Sequence, residues 1–173
     1  MPNLTVLQPK DGAEFNKMMD FSLSYNAPLA IRYPKNYVTD YPETDFTLKW
    51  EHLKRADNGV YVLAAGNRAL DEAMKAGEAN VISARVIQPL DKKTLDAIAG
   101  AKLIITVEDG IKTGGFGERV LAYMSEVGSD AKIVRLGYEF DRTKTLDGEK
   151  AAFNNGLTAK NIGDIIEKTL KNG

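Results

Sequence analysis

The apolar positions of this chain fall into short dense runs separated by polar stretches of helical period. The densest part spans residues 80–127. Val81, Ile82, Val86 and Ile87 form a β-branched run of strand length. Pro89 forbids its extension inside a sheet. Asp91 is placed to cap the helix that follows. Leu95, Ile98 and Ala99 recur at helical spacing, and Gly100 can end that helix. Leu103, Ile104, Ile105 and Val107 predict a second strand. Gly114, Gly115 and Gly117 then open another helix, with Val120, Leu121, Met124 and Val127 as its expected inner stripe. Strands this apolar are buried on both faces, as in a parallel sheet covered by helices.

The flanks extend the pattern. Leu4, Val6 and Leu7 predict a short strand ended by Pro9. Asp11 caps a helix, with Glu14 in the capping-box position. Phe15, Met18, Met19 and Ser22 share one face of that helix, which should stop near Asn26. A second strand over residues 29–33 is broken by Pro34. This β-α-β unit is too small to fold alone, because it leaves a sheet face and edges uncovered. Residues 36–45 carry no apolar period. Phe46, Leu48 and Trp50 alternate with polar residues and read as a half-buried strand. A turn at Asp57-Asn58-Gly59 leads to a strand at 60–65, paired with it as a hairpin or merely approaching the first core strand. Gly66 and Asn67 start a helix containing Leu70, Ala73 and Met74. Ile133, Val134 and Leu136 predict the last strand. Residues 137–157 are polar, with a helical turn expected at 149–153. Thr158 caps a final helix with Ile162, Ile165, Ile166 and Thr169 on one face. The fold class is α/β, with no internal repeat.

Composition narrows the function classes. The net charge of −1 gives no overall basic field for nucleic acid or acidic membranes. Cysteine is absent, which removes disulfides, thiol catalysis and cysteine metal sites, and fits a reducing compartment. No apolar run approaches the roughly 20 residues of a membrane helix. The first residues do not read as a signal peptide.

Four features could carry chemistry. The amides of Gly114-Gly115-Phe116-Gly117 could receive a phosphate at a helix start. The spacing matches neither the dinucleotide fingerprint nor the P-loop, so a tight turn with close helix–sheet packing is the favoured reading. Glu108 and Asp109 end a buried strand, where open α/β sheets place ligands. They could instead bond the amides of the glycine turn, which would depress their pKa. His52 is the only histidine and reads as a surface residue, so no histidine triad or zinc site is expected. Arg32 and Lys35 flank Tyr33-Pro34 at a strand end. They suit a phosphate or carboxylate, or are simply solvated.

These residues also bring a resemblance. The first eleven residues and Pro28-Leu-Ala-Ile-Arg-Tyr-Pro-Lys35 resemble the end of the pyrimidine-binding domain of 1-deoxy-D-xylulose-5-phosphate synthases. Arg85-Val-Ile-Gln-Pro-Leu-Asp91, Val107-Glu-Asp109, Gly114-Gly-Phe-Gly117 and Leu136-Gly137 resemble their C-terminal domain. The resemblance implies a transketolase C-terminal-like domain at 58–173. A remnant of the pyrimidine-binding domain precedes it at 1–40, and residues 41–57 form the linker. It also implies a transferase that joins pyruvate to glyceraldehyde 3-phosphate with loss of carbon dioxide, for isoprenoid, thiamine and pyridoxal synthesis. The cofactors are thiamine diphosphate and Mg2+, whose motifs lie in parts of the family sequence that have no counterpart here. The chain is therefore expected to be a C-terminal fragment or one chain of a split enzyme, without catalytic or cofactor-binding residues and inactive alone. Its expected partners are the missing domains and, as in the family, a second copy in a cytoplasmic homodimer. Lys35 takes the place of the arginine that binds the aldehyde's phosphate, with Arg32 as the second candidate. Lysine keeps the charge but loses the bidentate fork.

Two other readings stay open at this stage. One is the C-terminal part of a transketolase or of the β chain of a 2-oxoacid dehydrogenase, because both share the later motifs in looser form. The other is a non-catalytic α/β module that binds a ligand or protein through the end of its sheet.

Overall fold

The chain starts in one sheet, moves to a second, and returns to the first for a single strand. The computed structural model describes residues 3–34, 39–139 and 148–171. The first sheet begins with β1 (Thr5–Leu7), α1 (Gly12–Ser24) and β2 (Leu29–Ile31), with the two strands parallel. The main sheet takes β3 (Glu51–Lys54), β4 (Val60–Ala65), α2 (Asn67–Lys75) and β5 (Asn80–Ser83). Then β6 (Val86–Gln88) crosses back and pairs antiparallel with β1. The main sheet is completed by α3 (Lys92–Ala97), β7 (Leu103–Ile111), α4 (Phe116–Glu126) and β8 (Lys132–Tyr138), followed by α5 (Gly148–Asn154) and α6 (Ala159–Lys171). Its strand order is β3-β5-β4-β7-β8, all parallel except the edge strand β3. The strands of residues 46–50 and 60–65 thus do not form a hairpin, because β5 lies between β3 and β4.

Alternation along the central strands builds two apolar layers. Val60, Val62 and Ala64 face α2 and α6, meeting Leu70, Ile162 and Ile166. Leu63, Ile82 and Ile104 face the other way, toward Leu95, Val120, Met124 and Trp50. Leu7 and Met18 of the first β-α-β unit join this second layer. The unit therefore shares its core with the main domain. Each such fully buried aliphatic side chain contributes about 1.5–3 kcal/mol.

Three expectations need correction. The run from Val81 to Ile87 is not one strand but two in different sheets, and the break falls at Ala84 and Arg85. The amide of Ala84 still bonds the carbonyl of Ala64, but Arg85 turns its guanidinium into a buried charge cluster and ends the ladder. The edge strand starts at Glu51 rather than Phe46, because Arg85 Nε donates to the carbonyl of Lys49 at 2.7 Å. Of the four residues expected on the inner stripe of α4, Val120 and Met124 are buried, whereas Leu121 and Val127 reach solvent. Met19 of α1 is likewise exposed, and Phe15 leans on Tyr33 with ring centroids 4.9 Å apart.

Four charges hold the two sheets together. Glu14 sits at the third position of α1, and its amide bonds the Asp11 cap at 2.8 Å. Its carboxylate reaches past the capping-box partner to the amide of Lys10, at 2.7 Å. The other oxygen of Glu14 takes Arg85 Nη1 at 2.8 Å. Lys10 Nζ pairs with Glu51 at 2.7 Å, and Arg85 lies 3.4 Å from the same carboxylate. Lys10, Glu14 and Arg85 are each under 5% exposed. Two cations meet two carboxylates, and the Arg85 guanidinium also lies over the Phe46 ring at 5.5 Å; paired charges of this kind tolerate burial.

Arg85→Ala leaves Glu14 buried beside a single, more distant cation. We expect a loss of about 3–5 kcal/mol in urea unfolding, with β1 and α1 becoming sensitive to proteolysis first. Lys17→Ala, at the exposed pair with Glu43, should leave the unfolding midpoint in place.

Candidate functional site

The C-terminal ends of β2 and β7 meet where the first sheet touches the second. Arg32 follows β2 directly, and its Nη2 donates to the carbonyl of Asp109 at 3.1 Å. The strand-end carboxylates have different fates. Glu108 is 4% exposed and folds back over the glycine turn. Its Oε2 accepts from the amide of Phe116 at 2.8 Å and its Oε1 from that of Gly117 at 2.9 Å. Asp109 instead accepts from the Tyr138 hydroxyl at 2.7 Å.

The glycines are there for space. A Cβ on Gly115 would lie 2.0 Å from the carbonyl oxygen of Ile111 and 2.4 Å from the Glu108 carboxylate. A Cβ on Gly117 would lie 2.3 Å from the Thr106 hydroxyl. The amide of Gly114 is taken by Glu118 at 2.9 Å. Three amides of the turn thus already serve carboxylates, and the tight-turn reading of this motif holds. The turn offers no cradle for a phosphate or diphosphate. The expected bonding of Glu108 to these amides is present, but its expected consequence is not. Burial pushes the Glu108 pKa upward and outweighs the two amide bonds and the nearby Arg32 and Arg135, which pull it down. Burial likewise raises Tyr138, reinforced by its bond to Asp109.

Lys35 lies outside the described residues. The described flanks of its segment are both anchored: Arg32 at the end of β7, and Thr39 at the start of α2. Thr39 exchanges backbone bonds with the Asn67 side chain, 3.2 Å at its amide and 2.9 Å at its carbonyl, and its hydroxyl donates to Asp71 at 2.6 Å. The amide of Tyr41 bonds Asp11 at 3.1 Å. Arg32 and the Glu108–Asp109 pair are thus brought together, whereas His52 lies apart on the edge strand β3. Tyr138 and Arg135 escaped the sequence reading, since both lie in a strand recognised only by its apolar residues. Both carboxylates are occupied by strong donors, so the cluster organises backbone and cations and presents no free general base. Among the described residues no group of three or more histidines and carboxylates is placed to hold a metal.

The molecule is a doubly wound α/β domain carrying a β-α-β unit on its strand-end face, the class to which transketolase-type C-terminal regions belong. The family profile described as "Transketolase, C-terminal domain" matches residues 50–162, and the chain belongs to this family. Among curated proteins it is 37% identical to the 1-deoxy-D-xylulose-5-phosphate synthase of Clostridium perfringens, over 98% of this chain and 29% of that protein. It is 38% identical to the enzyme of the same name from Thermus thermophilus, over 79% of this chain and 23% of that protein. The chain therefore spans under a third of the length of these relatives, and corresponds to their C-terminal part. A solved structure described as a split gene transketolase, inactive beta4 tetramer, superposes with a TM-score of 0.84 at 24% identity. That match covers 99% of this chain and 59% of the other, and speaks for the fold.

Gly115→Ala should lower stability by about 1–3 kcal/mol or more through overpacking, seen as a fall in Tm. Glu108 gives a second, pH-dependent expectation. Its folded pKa lies above the ordinary value of 4.5, so the folded form holds its proton more tightly. Its contribution is greatest below that ordinary value and declines as pH rises through the folded pKa. Urea unfolding from mildly acidic to neutral pH should show wild type losing ground to Glu108→Gln as pH increases. A difference independent of pH would contradict the raised pKa.

Proposed function

We propose that this chain is the C-terminal portion of a 1-deoxy-D-xylulose-5-phosphate synthase. The reaction joins pyruvate to glyceraldehyde 3-phosphate with loss of carbon dioxide. Support comes from the curated relatives of that name and from one geometric observation. Arg32, which opens the Arg32-Tyr-Pro-Lys35 string, closes on the end of β7 through its bond to Asp109. It thereby stands at the strand-end face where open α/β sheets bind ligands. Residues 1–40 would then be the remnant of a pyrimidine-binding domain and 41–57 the connection from it, whose later part joins the main sheet as β3.

In this reading Arg32 is a clamp, since its guanidinium is engaged with a backbone carbonyl. Lys35 holds the aldehyde's phosphate as a charge-assisted contact. Thiamine diphosphate with Mg2+ would supply a carbanion nucleophile. The turn that could have cradled a diphosphate is occupied by Glu108, so this turn does not fit the cofactor. Its holder would be the domains that make up the rest of the relatives' length. Those domains, on the same or a second chain, are the proposed partners, together with a second copy in a cytoplasmic homodimer. The open edge of β2 and the exposed Leu23, Met19 and Tyr33 beside it suit such a contact. The solved split gene tetramer is a precedent for separate chains.

With the remaining domains supplied, Lys35→Ala should lower kcat/KM for glyceraldehyde 3-phosphate about tenfold to a hundredfold, a lost contact of roughly 1.5–3 kcal/mol. The pyruvate step should change little, and Lys35→Arg should preserve or raise activity. Unchanged aldehyde kinetics in Lys35→Ala, with loss of activity in Arg32→Ala, would move the phosphate role to Arg32. The chain alone should show no synthase activity and no heat of thiamine diphosphate binding. Micromolar binding in that titration would sink the division of labour. Light scattering should find the chain associated; a clean monomer at high concentration would argue against the exposed edge as an interface.

A further inference from the structure

The main sheet carries a concave feature near the start of β4, lined by none of the residues of the Glu108 turn itself. It is a groove of about 400 Å³ between β3 and α3. Its floor is apolar and rigid. Trp50 is 5% exposed, its indole nitrogen donates to the carbonyl of Val86 at 2.8 Å, and its ring meets Phe116 edge-on at 5.5 Å. Ile98 and Tyr61 complete that floor. The rim is cationic: Lys49, Arg55 and Lys93 surround it. Among the described residues none of the three pairs with a carboxylate.

The one acid of the groove, Asp91, is already used. Its carboxylate accepts from the amide of Trp50 at 2.9 Å, and from the amide and hydroxyl of Thr94 at 3.2 and 2.9 Å. Three cations without an ion-pair partner among the described residues thus share the groove with one carboxylate, which keeps its charge while serving as a cap, and positive charge remains in excess. His52 stands beside them, its pKa lowered by burial and by the charge of Arg55. The charged ends of the rim cations take no part in the Lys10–Glu14–Arg85–Glu51 cluster that joins the two sheets. A fixed aromatic floor under a rim with an excess of positive charge selects a ligand with both an apolar body and a compact anionic head.

We propose that this groove binds a small organic anion, a phosphate monoester or carboxylate borne on an aromatic or aliphatic body. The body lies over Trp50 and Tyr61, and the anion is held by Arg55 and Lys93 with Lys49 closing the rim. The proposal is independent of the synthase reading, since it uses none of the residues at the end of β7.

The chain holds one tryptophan and one histidine, and both line this groove, so each proton resonance reports on it alone. Benzyl phosphate titrated into the whole chain at about pH 8, where His52 is neutral, should move the His52 ring and Trp50 indole resonances together and saturably. Inorganic phosphate and benzyl alcohol should each bind about tenfold more weakly or worse, because each offers half of the contacts. The double variant Arg55→Glu, Lys93→Glu should weaken benzyl phosphate about tenfold or more. Arg55→Gln serves as the milder test should the double reversal disturb folding, with a severalfold loss expected. The proposal fails if benzyl phosphate at about 10 mM moves neither resonance. It fails equally if either half binds as well as the whole, or if the charge variants leave the affinity unchanged.

Discussion

A buried quartet of charges governs how this molecule is put together. Lys10 and Glu14 flank the start of α1, while Glu51 and Arg85 come from two other segments, and burial of these charges depends on their mutual pairing. Arg85 has the decisive position. Its guanidinium must reach Glu14 on α1, and its Nε must reach the carbonyl of Lys49. That requirement pulls the backbone out of the main sheet after Ser83 and delivers β6 to β1. An apolar cluster of the same volume could be as stable, but it would not specify the angle at which the β-α-β unit meets the domain. Opposite charges at fixed positions do.

Most of the fold was legible because apolar period and local punctuation agree. Asp11 and Asp91 cap their helices as read, the glycine turn opens α4, and Thr158 opens α6. The misreadings share a cause. Periodicity treats Val81 to Ile87 as continuous, since both strands are buried and both are β-branched. What separates them is a long-range ionic demand that has no local signature. The exposure of Leu121 and Val127 arises similarly: α4 packs across the sheet through a stripe narrower than its apolar residues suggest.

At the candidate site the sequence located the right residues more readily than their roles. Glu108, Asp109, Arg32 and the glycines do gather at one place. Yet the carboxylate that ends a buried strand serves as a structural acceptor for the turn's amides. The arginine that resembled a ligand-binding residue spends one nitrogen on a backbone carbonyl. Such assignments depend on distances across 77 residues of chain, and spacing along the sequence does not encode them. The direction of the Glu108 shift was also beyond reach, since it is a balance between burial and hydrogen bonds that only the packed structure decides.

The antiparallel pairing of β1 with β6 has a temporal consequence. During synthesis, β1 leaves the ribosome long before its partner, with Leu7 opposite Val86 in the finished ladder. At about 5–20 residues per second β1 waits several seconds for that neighbour. Through that interval α1 can form, but β1 has only β2 beside it, and two short strands do not persist in water. The segment carrying β1 is therefore secured only after residues 86–88 have been made. A nascent chain paused before residue 85 would hold an acidic helix without the cation it is built to meet.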